Sequence, residues 1–231
     1  MKSNSKLRLF FIVLFLGGLW GFLEATLGTI LHLDAFNSIF FASTAVMVPI
    51  AYLTCSFAYT STGKIRSTFY VGIVAALIKS ICFAFVPMVN KVVNPMVSIL
   101  VESLFVGVAI YFIKPTKVLS VKSVLSFALM SLCYRLVYTG YSIATAPVFQ
   151  SAYIVDGILN LNNIMTFVVT TNALSIGYLS ILFGLAYCIN ALIGKTKTAN
   201  IKHSISKFAY SPVVASLMAV IAVTVTIILK Y

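Results

Sequence analysis

Gly17-Gly18-Leu19-Trp20-Gly21-Phe22-Leu23-Glu24-Ala25-Thr26-Leu27-Gly28 places a carboxylate and a row of small residues inside an otherwise apolar segment. On a helix, Gly21, Ala25 and Gly28 share a stripe along which a second helix can approach the backbone, Glu24 projects beside it, and Trp20 lies one turn earlier. An ionised side chain in hydrocarbon costs roughly 3 kcal/mol or more, so Glu24 needs a partner, water or a ligand. The stripe itself reads as a helix-packing surface, and Trp20 has core packing as its plain alternative.

The rest of the chain agrees with a membrane setting. Of 231 residues, 61% are hydrophobic and 9% charged, against about 25% charged in a soluble domain. The net charge of +12 would suggest nucleic acid in a soluble protein. Here its placement at the ends of apolar runs excludes that partner.

Met1 to Arg8 carries Lys2, Lys6 and Arg8 before an apolar run from about Leu9 to Leu31. That run is long for a secretory signal and lacks a small-x-small cleavage site, so an uncleaved first span is expected. Further spans follow at about Ile39–Tyr59, Thr68–Val89, Pro95–Ile113, Val121–Ile143, Ile164–Ile193 and Pro212–Leu229. With the N-terminus cytoplasmic, the inside segments hold twelve Lys and Arg and the outside segments only Lys91 and Lys230, which satisfies the positive-inside rule.

Two bases and two acids fall within spans: Lys79, Arg135, Glu24 and Glu102. The span limits put Lys79 near mid-bilayer, Glu102 about seven residues below the outer end of its span and Arg135 about fourteen residues from the inner end. Four such charges on four helices are too costly to face lipid, so they are expected to converge on the bundle interior or a cavity. Asn94 and Ser98 share the Glu102 face, Asn94-Pro95 reads as a helix start, and Tyr138, Thr139 and Ser142 continue outward from Arg135. The alternative is that Glu24 with Lys79, or Glu102 with Arg135, are structural ion pairs that fix helix register. The segment from Ala144 to Asn163, with Tyr153 and Asp156, reads either as a lid over an outward cavity or as an ordinary interfacial loop. Thr166, Thr170, Thr171, Asn172 and Ser175 open the sixth run and either extend beyond the bilayer or line the same cavity.

Other chemistry is not legible. Cys55, Cys82, Cys133 and Cys188 lack the spacing of disulfides or metal ligands. No phosphate-binding loop or hydrolase motif occurs. A lysine for a retinal Schiff base is missing from Pro212–Leu229, and no internal repeat is evident.

The first span, Gly18 to Gly28, and the fourth, with Asn94-Pro95 ahead of Ser98 and Glu102, resemble the membrane-embedded substrate-binding subunits (S components) of energy-coupling factor vitamin transporters. The resemblance implies a small helical bundle that captures a vitamin-like micronutrient from outside and works with a transmembrane coupling protein and two ATPase subunits. It implies six spans where the patterning here yields seven. It also implies an Ala-x-x-x-Ala packing motif, for which Gly17, Gly21 and Ala25 stand in.

The expectation is an all-α, polytopic integral membrane bundle of six to seven spans, a single transmembrane domain over residues 1–231 in the cell membrane, with a cytoplasmic N-terminus. It is expected to bind a small organic solute and to be neither an enzyme nor a cofactor protein. The expected lining is Glu24, Lys79, Glu102 and Arg135, with Trp20, Tyr138 and Tyr153 as aromatic contacts. A membrane scaffold held together by its ion pairs is the alternative class, and an intramembrane enzyme the third.

Overall fold

The computed structural model describes residues 5–31, 43–85, 89–118, 120–149, 153–155, 158–193 and 211–229. His32, Asp34 and Asp156, and the lysines from Lys195 to Lys207, lie outside the described residues. The helices are α1 (Ser5–Leu31), α2 (Ser43–Thr62), α3 (Arg66–Ser80), α4 (Asn90–Ile113), α5 (Val121–Ala144), α6 (Leu161–Met165), α7 (Thr171–Ile193) and α8 (Pro212–Ile228). A 3₁₀ turn (Ile81–Ala84) prolongs α3, and a π turn (Thr166–Thr170) joins α6 to α7. One antiparallel hairpin, β1 (Ile154–Val155) with β2 (Ile158–Leu159), sits between α5 and α6 and pairs Ile154 with Leu159. Among the described residues, five helices are long and apolar enough to cross a membrane: Lys6–Gly28, Arg66–Ala84, Val92–Ile113, Val121–Ala144 and Leu161–Cys188. The fold is therefore the expected helical bundle of a membrane protein, with 20-residue α2 and 17-residue α8 falling outside those five.

Three boundaries differ from the sequence reading, each for a local reason. Helix α3 gives way to the 3₁₀ turn after Ser80 rather than running to Val89, which puts Lys79 in its last turn and not at mid-span. Helix α4 begins at Asn90, so Asn94-Pro95 is not its start. Pro95 is the sixth residue, where its missing N–H removes one early helical bond, and the first turn is already closed by Val93 donating to the Val89 carbonyl at 2.9 Å. Glu102 consequently lies about 18 Å along α4 from Asn90, near the middle of the helix. The last long run begins at Leu161, where Asn160 caps it by accepting from the Asn163 N–H at 3.0 Å; a short polar side chain supplies the acceptor a helix start lacks.

Helices α8, α1, α3, α4, α5 and α7 are successive neighbours in an arc, and α2 fills its concave side, touching α1, α3, α4, α5 and α7. Eleven α2 residues are buried, among them Ala45, Ala51, Ser56 and Ala58. Small side chains let neighbours approach a helix closely from several directions. In α1, a Cβ on Gly17 would stand 2.9 Å from the Val71 carbonyl oxygen of α3, and one on Gly18 would stand 3.2 Å from the backbone of Ala219 in α8. The glycines thus face two partners, as a packing surface should. Gly28 differs: the side chain within reach of a Cβ there is that of Glu24 itself, at 3.5 Å. A Cβ on Gly72 would overlap both Cβ and Oγ of Ser103, so α3 and α4 meet with no room for a side chain.

Candidate functional site

Two hydrogen-bonded rungs join α4 to α5. Tyr141 donates to Asn94 Oδ1 at 3.1 Å, and one turn deeper Ser98 Oγ and Tyr134 Oη are 2.7 Å apart. Ser98 also donates to Glu102 Oε1 at 2.9 Å. A hydroxyl has one proton to give, so the direction is fixed: Tyr134 donates to Ser98 and Ser98 donates to Glu102. The three residues expected on one face of α4, Asn94, Ser98 and Glu102, are all used.

Arg135, beside Tyr134 on α5, turns to the opposite neighbour. Its Nη1 donates to the Phe167 carbonyl at 3.2 Å, and its Nη2 to the Thr171 carbonyl at 3.3 Å and Ser175 Oγ at 2.8 Å. The guanidinium carbon lies 4.8 Å from the Phe167 ring centroid, a cation–π distance. The wide π turn takes carbonyls off the ordinary i−4 ladder, and Arg135 uses the one at Phe167. Asn172 contributes next to it, accepting from Ser131 Oγ at 2.5 Å. Thr171, Asn172 and Ser175 of the sixth run therefore face α5, while Thr166 and Thr170 are exposed.

Arg135 is 0% exposed and Glu102 5%. They lie within electrostatic reach of each other, yet they are not an ion pair: each is held by its own hydrogen bonds, and Arg135 Nε has no partner. Beside them stands an aromatic wall. Tyr134, Tyr138 and Tyr141 follow one face of α5 with successive ring centroids 5.8 Å apart. Phe167 meets Tyr138 at 6.1 Å and Tyr153 at 5.7 Å. Tyr153, from the turn before β1, is buried; burial pushes its hydroxyl up to about 12 against the pull of the Arg135 charge, so the phenol stays a neutral donor at physiological pH.

Of the seven expected site residues, Glu102, Arg135, Tyr138 and Tyr153 come together. Glu24 lies within electrostatic reach of Glu102, with its carboxylate lying over Gly28. Lys79 is half-buried at the end of α3 and forms no ion pair with Glu24 among the described residues. Trp20 is buried in the hydrophobic core with Leu16, Tyr52 and Val71. Tyr134 and Phe167 were not anticipated; the spacing Tyr134, Tyr138, Tyr141 (i, i+4, i+7) is a one-face signal that identifies the first. All four cysteines are free thiols, and among the described residues no three His, Cys, Asp or Glu gather as metal ligands. Comparison of the chain with protein-family models, with curated proteins and with solved structures finds no match.

Proposed function

We propose that this protein is a membrane-embedded substrate-binding subunit for uptake of a small organic, vitamin-like solute, working as an S component with a transmembrane coupling protein and ATPase subunits. The observation that carries the reading is the buried acid Glu102 and the buried base Arg135, held apart beside a wall of tyrosines. A pair serving only the fold gains most by direct contact; groups kept apart, with the guanidinium Nε unbonded, are left able to engage a ligand that carries complementary groups. Tyr153 on its hairpin is the lid of that site, and the buried centre is its occluded form. The chain carries no nucleotide-binding signature of its own, so accumulation against a gradient draws on the partners. A scaffold remains the second reading, favoured by the complete burial of Arg135.

The test is purification of wild type and the Tyr138→Ala variant in mild detergent, followed by mass spectrometry of small molecules released on denaturation. A stoichiometric organic compound in wild type, reduced at least tenfold in Tyr138→Ala at unchanged melting temperature, is expected. An empty wild-type protein from cells grown in rich medium, or equal retention by the variant, rejects the assignment.

The proposed orientation has seven crossings and a cytoplasmic N-terminus. Lys64→Cys and Val148→Cys, each in a background without native cysteines, are to be treated in intact cells with a membrane-impermeant thiol reagent. Position 148, exposed at the end of α5, is expected to label and position 64 to stay protected until the cells are lysed. The reverse pattern inverts the topology.

A further inference from the structure

At the end of the bundle where α2 stops and α3 starts, the chain gathers positive charge that it does not neutralise. Lys64 and Arg66 flank the α2–α3 turn, and Lys114, Lys117 and Lys122 the α4–α5 turn. There is no Asp or Glu from residue 35 to 101 or from 103 to 155, and none of these five bases forms an ion pair among the described residues. Lys114 ends α4 with φ 49°, a left-handed cap that stops the helix sharply beside the start of α3.

A groove of about 470 Å³ opens between α3 and α4 at this same end. Its floor is Gly107 and Thr68, and its walls are the exposed side chains of Phe69, Leu104, Tyr111 and Phe112. The single charged residue in its lining is Arg66. Gly107 lets α3 and α4 approach closely at the floor of the groove: a Cβ there would stand 2.9 Å from Thr68 Oγ1. It is thus an apolar slot on the lipid-facing surface with a cation at its mouth.

We infer that this slot binds an anionic phospholipid, one acyl chain lying over Gly107 and the phosphate held by Arg66 and the nearby Lys64 and Lys114. The charge decides the headgroup, since a zwitterionic lipid leaves the excess of cations uncompensated. An apolar slot with a cation at its mouth matches an acyl chain that ends in a phosphate. A free phosphate gains nothing from the apolar walls. The groove lies on the half of α4 that ends at Ile113, whereas Asn94 and Ser98 of the solute site lie on the half that begins at Asn90, with Glu102 between them.

The experiment is native mass spectrometry and thermal melting of delipidated protein with phosphatidylglycerol, with phosphatidylcholine of the same chains, or with inorganic phosphate. In wild type, phosphatidylglycerol adducts are expected to exceed phosphatidylcholine adducts at least fivefold, about the weight of one basic residue near an anionic surface, and phosphatidylglycerol alone should raise the melting temperature. Arg66→Gln with Lys114→Gln should bring the lipid ratio to within twofold of unity, whereas Lys117→Gln with Lys122→Gln, removed from the groove, should leave it unchanged. Gly107→Leu should abolish the tight adduct of either lipid. Equal binding of the two lipids by wild type, stabilisation by inorganic phosphate alone, or equal loss in both double variants overturns the proposal. So does a Gly107→Leu protein that keeps its lipid and loses a co-purifying protein. If Gly107→Leu does not fold, the two double variants, changed only at exposed positions of the turns, decide the matter.

Discussion

Replacing Arg135 by methionine is expected to lower the melting temperature of the detergent-solubilised protein by about 5–15 °C. The substitution removes every donor that Phe167 O, Thr171 O and Ser175 Oγ receive from α5, and a buried polar group left without its partner costs about 1–3 kcal/mol. Thr171 O keeps a bond from Ser175 Oγ at 2.9 Å, so the loss is less than three full penalties, about 2–5 kcal/mol in total. For a chain of this size each kcal/mol is worth about 2–4 °C. Arg135→Lys should recover little of it, because one ammonium cannot span acceptors a helical turn apart as the planar fork does. Fluorescence-detected size-exclusion after heating is the measurement, and a wild-type melting curve for either variant contradicts the buried geometry.

The second large effect concerns the closest helix contact. Gly72→Ala should destabilise by about 1–3 kcal/mol or more, since the added methyl would overlap the Cβ as well as the Oγ of Ser103 and no rotation of a side chain moves its own Cβ. Ser103 is further tethered by donating to the Leu100 carbonyl at 2.9 Å. The double variant Gly72→Ala, Ser103→Gly exchanges which helix carries the methyl and should recover most of the loss. The same thermal assay on the two single variants and the double variant checks this, and additive destabilisation in the double would show that α3 and α4 do not meet here.

The face of α4 that carries Asn94, Ser98 and Glu102 was readable because a helix imposes its own period on its side chains, whatever surrounds it. The same is true of Gly17, Gly18 and Gly21 of α1, which meet neighbouring helices, but not of Gly28, which meets Glu24 of its own helix. What a single helix does not disclose is which neighbour it faces. Glu102 and Arg135 converge without pairing because Arg135 is drawn to carbonyls of the π turn, and nothing in Thr-Phe-Val-Val-Thr distinguishes a π turn from an α-helix. The end of α3 was hidden for a related reason. Ser80-Ile81-Cys82-Phe83-Ala84 stays apolar enough to continue a span, so hydropathy carried the helix past the point where its geometry tightens, and Lys79 was read as mid-helix when it stands in the last turn. Phe167 was overlooked because an aromatic in an apolar run looks like any other lipid-facing side chain.

The central position of α2 bears on how the protein is made. This helix carries Pro49, Thr54 and Ser56 inside it, and it touches five of its neighbours. A segment entering the bilayer from the translocon is judged by its own partitioning, whereas the environment α2 finally occupies is protein. Its enclosure is therefore completed by helices synthesised after it, α3, α4, α5 and α7 among them. Until those helices arrive, Thr54 and Ser56 of α2 lack the neighbours that finally bury them, and biogenesis is a stage at which substitutions in α2 will be felt.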